Sequence, residues 1–270
     1  LIKPGRIYVA PADHHMLIRD GQIALSRGPT ENGHRPAVDP LFRSAARHYG
    51  ARVIGVILSG SRDDGTAGLA AIVERGGIPI VQDPDTALHR SMPCAAMEHL
   101  KIEHVLHPGR IGRLVAELVA REPQLAREPT VAELPADELL AAETAIAELA
   151  AVAADQLPGR PTGLSCPSCH GAMVELDGAP SPRYRCRVGH AWSPDSLLAA
   201  QSDAVDGALW TALRALEEQG SLSRQLATLS GPRGSPEIVD RHSARADHTD
   251  WAAVQIRRLL GESGYQSDPA

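Results

Sequence analysis

Val56-Ile57-Leu58-Ser59-Gly60-Ser61-Arg62-Asp63-Asp64-Gly65-Thr66-Ala67-Gly68-Leu69 is the stretch on which the fold of this chain turns. An apolar run ends in a glycine-bounded turn carrying two carboxylates, and an apolar helical pattern follows. Arg52 to Ser59 has the length and continuity of a strand covered on both faces. Thr66 to Arg75 reads as a helix closed by Gly76-Gly77, since glycine supplies the left-handed cap. In open α/β sheets, ligands bind beyond the carboxyl ends of the strands, where this turn sits. A carboxylate there can orient a catalytic histidine, coordinate a metal, or cap the helix. A phosphate cradle is the weakest reading, because the glycine spacing matches no phosphate-loop pattern.

Outward from that turn, strand and helix signals alternate. Ile7-Tyr8-Val9 reads as a short β run. Met16-Leu17-Ile18 and Gln22-Ile23-Ala24-Leu25 flank Asp20-Gly21, a strong hairpin signal. Pro36 to Tyr49 places Val38, Leu41, Phe42, Ala45 and Ala46 at helical spacing. Ile78 to Gln82 is the next strand, Pro93 to Leu100 a short helix, Val105-Leu106 a last strand, and Ile111 to Ala120 a closing helix. Residues 1–120 are therefore expected to form an α/β domain with a doubly wound, mostly parallel sheet.

Residues 121–160 are rich in Ala, Glu and Pro and read as a linker. Asp137 to Gln156 is expected to form a solvated helix that packs weakly, its apolar positions being mostly alanine. Residues 161–195 carry a Cys/His cluster. Ser193-Pro194-Asp195 starts a long amphipathic helix running to about Leu229, with Ser193 as cap and Pro194 in the first helical position. Gly231 to Pro236 reads as a turn and Glu237 to Leu260 as a second helix, before a frayed tail. Residues 196–270 are thus expected to pair as an α-helical hairpin, with Trp210 and Trp251 in its core.

The chain has 270 residues, 43% of them hydrophobic and 22% charged, which excludes general disorder. The net charge of −6 argues against a general nucleic-acid binder. No apolar run has the length of a membrane span, and the start lacks a signal-peptide pattern. The expectation is a cytoplasmic protein with no membrane insertion. The chain begins with Leu1 directly in strand-like sequence, so it reads as the rear part of a longer protein.

Cys166-Pro-Ser-Cys169 and Cys186-Arg-Val-Gly-His190 are two compact ligand pairs. Val174-Glu175-Leu176 and Tyr184-Arg185 on either side of Gly178-Ala179-Pro180 read as a hairpin that brings the pairs together. Three soft ligands and one imidazole close a tetrahedral zinc site with no open position, so a structural zinc ribbon is expected. Free thiols or a redox Cys-x2-Cys are the alternatives, but a redox pair leaves Cys186 and His190 unexplained. His170 is a competing ligand. Cys94 reads as a small core residue. Arg183, Arg185 and Arg187 form a small basic face, read as solvated surface.

Ordered motifs in residues 1–120 resemble the catalytic domain of the chemotaxis-receptor methylesterases, the CheB family. They are Pro4-Gly5-Arg6-Ile7-Tyr8-Val9-Ala10-Pro11 with His15, His34-Arg35-Pro36-Ala37-Val38-Asp39-Pro40-Leu41-Phe42, the Gly60–Gly65 turn, Gln82-Asp83, and Ser91-Met92-Pro93. Residues 161 to about 230 also resemble a C-terminal extension of some homologues. The resemblance implies hydrolysis of glutamate methyl esters on chemoreceptors, with glutamine deamidation in some members. It implies a Ser-His-Asp triad, in which a Ser attacks, a His takes its proton and an Asp fixes the His tautomer. Asp64 falls at the family's triad Asp, with Asp63 as the neighbouring fallback. The Gly60 and Ser61 positions fall in the active-site loop, where the backbone amide at Ser61 helps hold the oxyanion. The family's Ser and His lie upstream of the segment matching residue 1, so the sheet is expected to be incomplete at its N-terminal side and this chain alone inactive. Ser61-Arg62 departs from the Met-Gly of the best-known members, and Arg62 alters charge and access. His14 and His15 read as a polar strand end rather than as a substitute base.

The implied substrate is a methylated chemoreceptor-like protein, and no nucleic-acid partner is expected. Two rivals remain at this level. One is a non-catalytic docking or regulatory zinc module in signal transduction. The other is a zinc-dependent nucleic-acid binder, which would bind in a salt-sensitive way.

Overall fold

The computed structural model describes residues 1–120, 138–149, 158–179, 182–230 and 235–263. The chain divides into two compact units, Leu1–Leu198 and Ala199–Ala270.

The first unit opens with the expected hairpin. Strands β1 (His15–Arg19) and β2 (Gln22–Ser26) pair antiparallel with Arg19 opposite Gln22. The two residues between them, Asp20 and Gly21, both have positive φ, as a primed hairpin turn requires. The β run expected at Ile7–Val9 does not form. Ile7 and Val9 are 93% and 83% exposed, and no strand in the described residues pairs with them.

Helix α1 (Val38–Tyr49) follows, and a 3-10 turn at Gly50–Arg52 leads into β3 (Ile54–Ile57). Helix α2 (Thr66–Glu74), β4 (Ile78–Gln82), α3 (Ser91–His99), β5 (His104–Leu106) and α4 (Pro108–Ala120) complete the alternation read from the sequence. The sheet is parallel, in the order β3-β4-β5. Ile57, Leu69, Ala71, Ile72, Val81 and Ala96 form its core with Ala46 of α1. Two glycines set the spacing. A Cβ on Gly55 would lie 2.6 Å from Leu69 Cδ1, and one on Gly68 would lie 3.0 Å from the Asp39 carbonyl oxygen. These close approaches let α2 lie against both β3 and α1.

Part of the expected linker is core. Helix α5 (Glu138–Ala147) buries Leu140, Ile146 and Ala147. Leu140 joins the sheet's core cluster, and Ser26 Oγ donates to Ala147 O at 2.6 Å. The helix is therefore not a solvated one. Alanine limits packing only where neighbours stay distant, and here Gly28 admits the backbone of Ala147, whose oxygen would lie 2.3 Å from an added Cβ. Of the rest of the expected linker, residues 121–137 and 150–157 lie outside the described residues, and Gly159 and Arg160 already belong to the next strand.

A four-stranded antiparallel sheet follows, β6 (Gly159–Ser165), β7 (Ala172–Leu176), β8 (Tyr184–Cys186) and β9 (Ala191–Trp192), in that order. The expected β7–β8 pairing is present, with Val174 opposite Arg185.

Helix α6 (Pro194–Ser230) starts at the proline read as its first residue, and Ser196 N donates to Ser193 Oγ at 3.4 Å as a cap. In the second unit, α6 residues lie beside α7 (Pro236–Ser263). Arg224 bonds Asp250, and Arg257 bonds Glu217, so residue numbers rise along one helix as they fall along the other. The seam between them buries Leu213, Ser223, Ala246, Thr249 and Ala253. Trp210 and Trp251 do not enter it and are 61% and 63% exposed. The seam is close-packed at Gly220, where an added Cβ would lie 2.9 Å from Thr249 Oγ1 and from Asp250 Oδ1. The expected turn at 231–234 and the frayed tail from 264 lie outside the described residues. Among the described residues, no helix is long and apolar enough to cross a membrane.

Candidate active site and Cys/His centre

The turn after β3 carries the candidate carboxylates, and both are buried. Asp64 Oδ2 accepts from Val38 N at 2.7 Å. Its Oδ1 accepts from Asp39 N at 3.3 Å and from Asn32 Nδ2 at 3.5 Å. Val38 and Asp39 are the first residues of α1, whose own N-cap residue Ala37 offers no side-chain acceptor. Asp64 therefore caps a helix 26 residues earlier in sequence, not the helix that follows it. Helix α2 receives the reciprocal bond, from Gly68 N to Asp39 Oδ1 at 2.7 Å. Burial, then the neighbouring Asp39, pushes the Asp64 carboxyl up to about 7. Burial raises Asp39 as well, against the pull of Arg183 and Arg43.

Asp63, the fallback, faces another way. Its Oδ1 accepts from Ser193 Oγ at 2.7 Å and Ser196 Oγ at 2.6 Å. No histidine bonds either carboxylate among the described residues. A side chain at Gly60 would force Met92 to move, since a Cβ would lie 2.0 Å from Met92 Sδ. Gly60 N donates to His89 O, and Gly60 O accepts from Met92 N, each at 3.0 Å. Gln82 at the end of β4 accepts from Ser59 N at 2.9 Å and holds the turn from below. Arg62 has φ +64, a left-handed conformation that residues other than glycine seldom adopt.

His15 is a buried core histidine, not a polar strand end. Its Nδ1 accepts from Ala37 N at 3.2 Å, so the ring proton sits on Nε2, which donates to Pro29 O at 3.0 Å. Burial lowers its pKa, consistent with a neutral ring. His14 Nδ1 lies 3.1 Å from Ala12 O.

Two turns pre-form the Cys/His centre. His170 N donates to Cys166 O at 2.7 Å and Gly189 N to Cys186 O at 2.9 Å. The ligand atoms of Cys166, Cys169, Cys186 and His190 lie within 4.8 Å of one another. Cys169 Sγ and Cys186 Sγ are 3.6 Å apart, and His190 Nδ1 lies 3.7 Å from Cys166 Sγ and 3.6 Å from Cys186 Sγ. A tetrahedral ion with the usual metal–sulfur and metal–nitrogen bonds has edges of roughly 3.5–3.8 Å, so this group can hold a metal. Burial, then Cys169 and Cys166, pushes the Cys186 thiol up to about 12. His170 is exposed and outside the group. Cys94 is half-buried rather than a full core residue.

The expected basic face is a correction. Arg183, just before β8, and Arg185 within it are 3% and 0% exposed and turn inward. Arg183 pairs with Glu31 at 3.0 Å, Asp39 at 3.3 Å and Glu143 at 3.3 Å. Arg185 pairs with Glu31 at 3.0 Å and Glu143 at 2.8 Å, and also donates to Gly189 O at 2.6 Å. Arg43 of α1 meets Glu31 at 2.6 Å. Burial alone would raise Glu31 and Glu143. The guanidiniums outweigh it, holding Glu31 well below the carboxylate range and Glu143 at about 2. Only Arg187 is exposed surface. Sequence reasoning missed this network. Its signals were Glu143 as a lone charge between Leu139 and Ile146, and the two-residue spacing of Arg183 and Arg185.

Residues 1–115 match the CheB methylesterase family. A Leptospira interrogans relative is 42% identical over 118 residues, which are 43% of this chain and 61% of that protein. A Caulobacter vibrioides protein-glutamate methylesterase/protein-glutamine glutaminase is 43% identical over 120 residues, 43% of this chain and 35% of the relative. The Myxococcus xanthus protein-glutamate methylesterase FrzG is 41% identical over 120 residues, 44% and 36% of the two chains. The crystal structure of the Thermotoga maritima CheB methylesterase catalytic domain matches 43% of this chain and 64% of its own at 34% identity, with a TM-score of 0.42. The chain thus spans less than two thirds of the length of these relatives.

Proposed function

We propose that this chain is part of a protein-glutamate methylesterase of a chemotaxis-like signalling pathway. Its substrates are glutamate methyl esters, and in a second activity glutamine side chains, on a chemoreceptor-like protein. The single observation that carries the reading is Asp64. It lies at the family's triad position, buried and fixed by two backbone N–H groups and one amide. A triad carboxylate works by orientation, holding a His tautomer and stabilising the imidazolium. A buried Asp whose proton is lost only near pH 7 ionises readily once an imidazolium stands beside it.

The remaining roles follow the resemblance. The nucleophilic Ser and the His come from the part of the family's domain that precedes the matched segment. Gly60 leaves room for the loop, and the N–H of Ser61, which makes no hydrogen bond among the described residues, serves as an oxyanion donor. Residues 1–120 constitute the catalytic portion with a doubly wound sheet, helix α5 packs onto its core, residues 161–195 form a zinc ribbon and 196–270 a helical hairpin with its tail. Cys166, Cys169, Cys186 and His190 hold a structural zinc, which supplies cross-linking and no reaction step. The protein works in the cytoplasm.

One observation favours a second reading, a non-catalytic docking module. Both Asp64 oxygens already have donors in this structure, as a purely capping residue would. The test is methanol release from methylated receptors by the protein expressed from its complete gene. The methylesterase reading expects release, lowered by about four orders of magnitude in Asp64→Asn. No release from the unaltered protein, with receptor binding retained, sustains the docking reading instead.

A further inference from the structure

Five hydrogen bonds tie residues 191–196 to the candidate carboxylates' loop and to the segment around Asn32, one of them from Ala191 N to Thr30 O at 3.3 Å. Asn32 N donates to Ala191 O at 2.8 Å, and Ser193 N donates to Asn32 Oδ1 at 3.0 Å. Ser193 Oγ and Ser196 Oγ both donate to Asp63 Oδ1. Trp192 lies beneath the same loop, with its ring 3.3 Å from where a Cβ on Gly33 would sit. Asn32 itself is 2% exposed and holds φ +53, a conformation asparagine tolerates better than most residues.

The chemistry of the amide makes this contact directional. An asparagine side chain has one accepting end and one donating end. A backbone N–H can meet only the oxygen. Ser193 N therefore turns Asn32 Oδ1 toward the C-terminal extension and leaves Nδ2 facing Asp39 Oδ2 at 3.2 Å and Asp64 Oδ1 at 3.5 Å. The reverse orientation would set an amide oxygen against two carboxylates. Asp64 Oδ2 has one short backbone donor, whereas Oδ1 depends on two longer bonds, and Asn32 supplies one of them.

We infer that Asn32 is a positioning residue for Asp64, and that Ala191, Ser193 and Ser196 of the extension lock Asn32 and the Asp63 side of the loop in place. The inference rests on reading Asp64 as the carboxylate of the reaction. It makes residues 191–196 part of the scaffold of that site rather than a separate appendage. Asp39 and Glu31 are the other charged groups that face the Asp64 carboxyl and act on it.

The test uses the 270-residue chain and needs no ester hydrolysis. Carboxyl NMR follows the Asp64 titration, and amide exchange follows Val38, Asp39 and Thr66. In Asn32→Ala, the lost donor removes support from the ionised form, so the midpoint moves up by about half a pH unit or more. Exchange at Val38 and Asp39 quickens roughly tenfold while Ile80 and Val81 in the sheet core hold. Ser193→Ala combined with Ser196→Ala keeps the Ser193 N–H and frees Asp63. It is expected to quicken Thr66, whose N–H bonds Asp63 O, and to leave the Asp64 midpoint in place. Should Asn32→Ala not fold, the double serine variant decides alone, and unchanged Thr66 exchange overturns the lock. An unmoved midpoint in folded Asn32→Ala, or faster exchange spread evenly into Ile80 and Val81, overturns the positioning role. Failure here leaves the methanol-release experiment untouched, and loss of that activity reading leaves these exchange rates untouched.

Discussion

Asp39 and Asp64 cap each other's helices. Asp64, just before α2, accepts from the first amides of α1, and Asp39 in α1 accepts from Gly68 in the first turn of α2. Two buried carboxylates side by side would ordinarily repel. Here each sits at the positive end of the other's helix, and Arg183 closes on Asp39 from the extension. The same arrangement makes the pair sensitive to pH.

The pH response of Asp64 has a definite sign. Unfolded, an aspartate loses its proton near 3.9. Folded, Asp64 keeps it up to about 7. Between those values the folded state holds more protons, so the stability this group contributes is full below about pH 4 and is lost as pH rises through 7. Glu31 and Glu143 are shifted the other way and act only at more acid pH. His15, His34, His48 and His190 are lowered by burial, but they are common to parent and variant. Asp64→Asn should therefore gain in melting temperature relative to the parent from pH 5 to pH 8. A flat difference across that range would show that Asp64 ionises normally.

Arg185 lies fully buried between Glu31, Glu143 and the Gly189 carbonyl. Removing one partner of a buried ion network strands the rest. Arg185→Met should cost about 3–5 kcal/mol, measured by denaturant unfolding of the first unit. Arg187→Met on the exposed side should change stability by less than about 0.5 kcal/mol.

The metal prediction concerns the extension. Protein purified without chelator should hold about one zinc per chain. Stripping it should lower the thermal midpoint and open the β7–β8 amides to exchange, since four converging ligands lose their cross-link. Metal analysis with calorimetry checks both, and Cys166→Ser should abolish the bound zinc. Absence of zinc in the unaltered protein would remove the ribbon reading.

Gly60 is a steric requirement. With Met92 Sδ 2.0 Å from the place of a Cβ, Gly60→Ala must displace the side chain or the turn. A loss of about 1–3 kcal/mol is expected, partly recovered by pairing it with Met92→Ala.

In the second unit, Leu213→Ala should cost about 2–5 kcal/mol because Leu213 fills the seam. Trp210→Ala and Trp251→Ala should each stay within about 0.5 kcal/mol, their rings being mostly in solvent. Thermal unfolding of the three variants distinguishes the seam from the flanks.

The sequence by itself determined the local elements and the ligand pairs. The Asp20-Gly21 turn, the apolar run before Ser59, the Gly76 cap and the Cys-x2-Cys turn are all short-range features, fixed by dihedral preference and periodicity within a few residues. The family motifs likewise read directly along residues 1–115. Only the tertiary structure decided where the charges went. Arg183 and Arg185 were indistinguishable from surface residues until Glu31, Asp39 and Glu143, from distant segments, closed around them. A helix rich in alanine became core because glycine let its backbone approach, and two tryptophans stayed outside the seam of the second unit. Asp64 capped a helix it does not adjoin in sequence. Burial and the pairing of charges are properties of three-dimensional neighbourhood, which the order of residues in one chain does not contain.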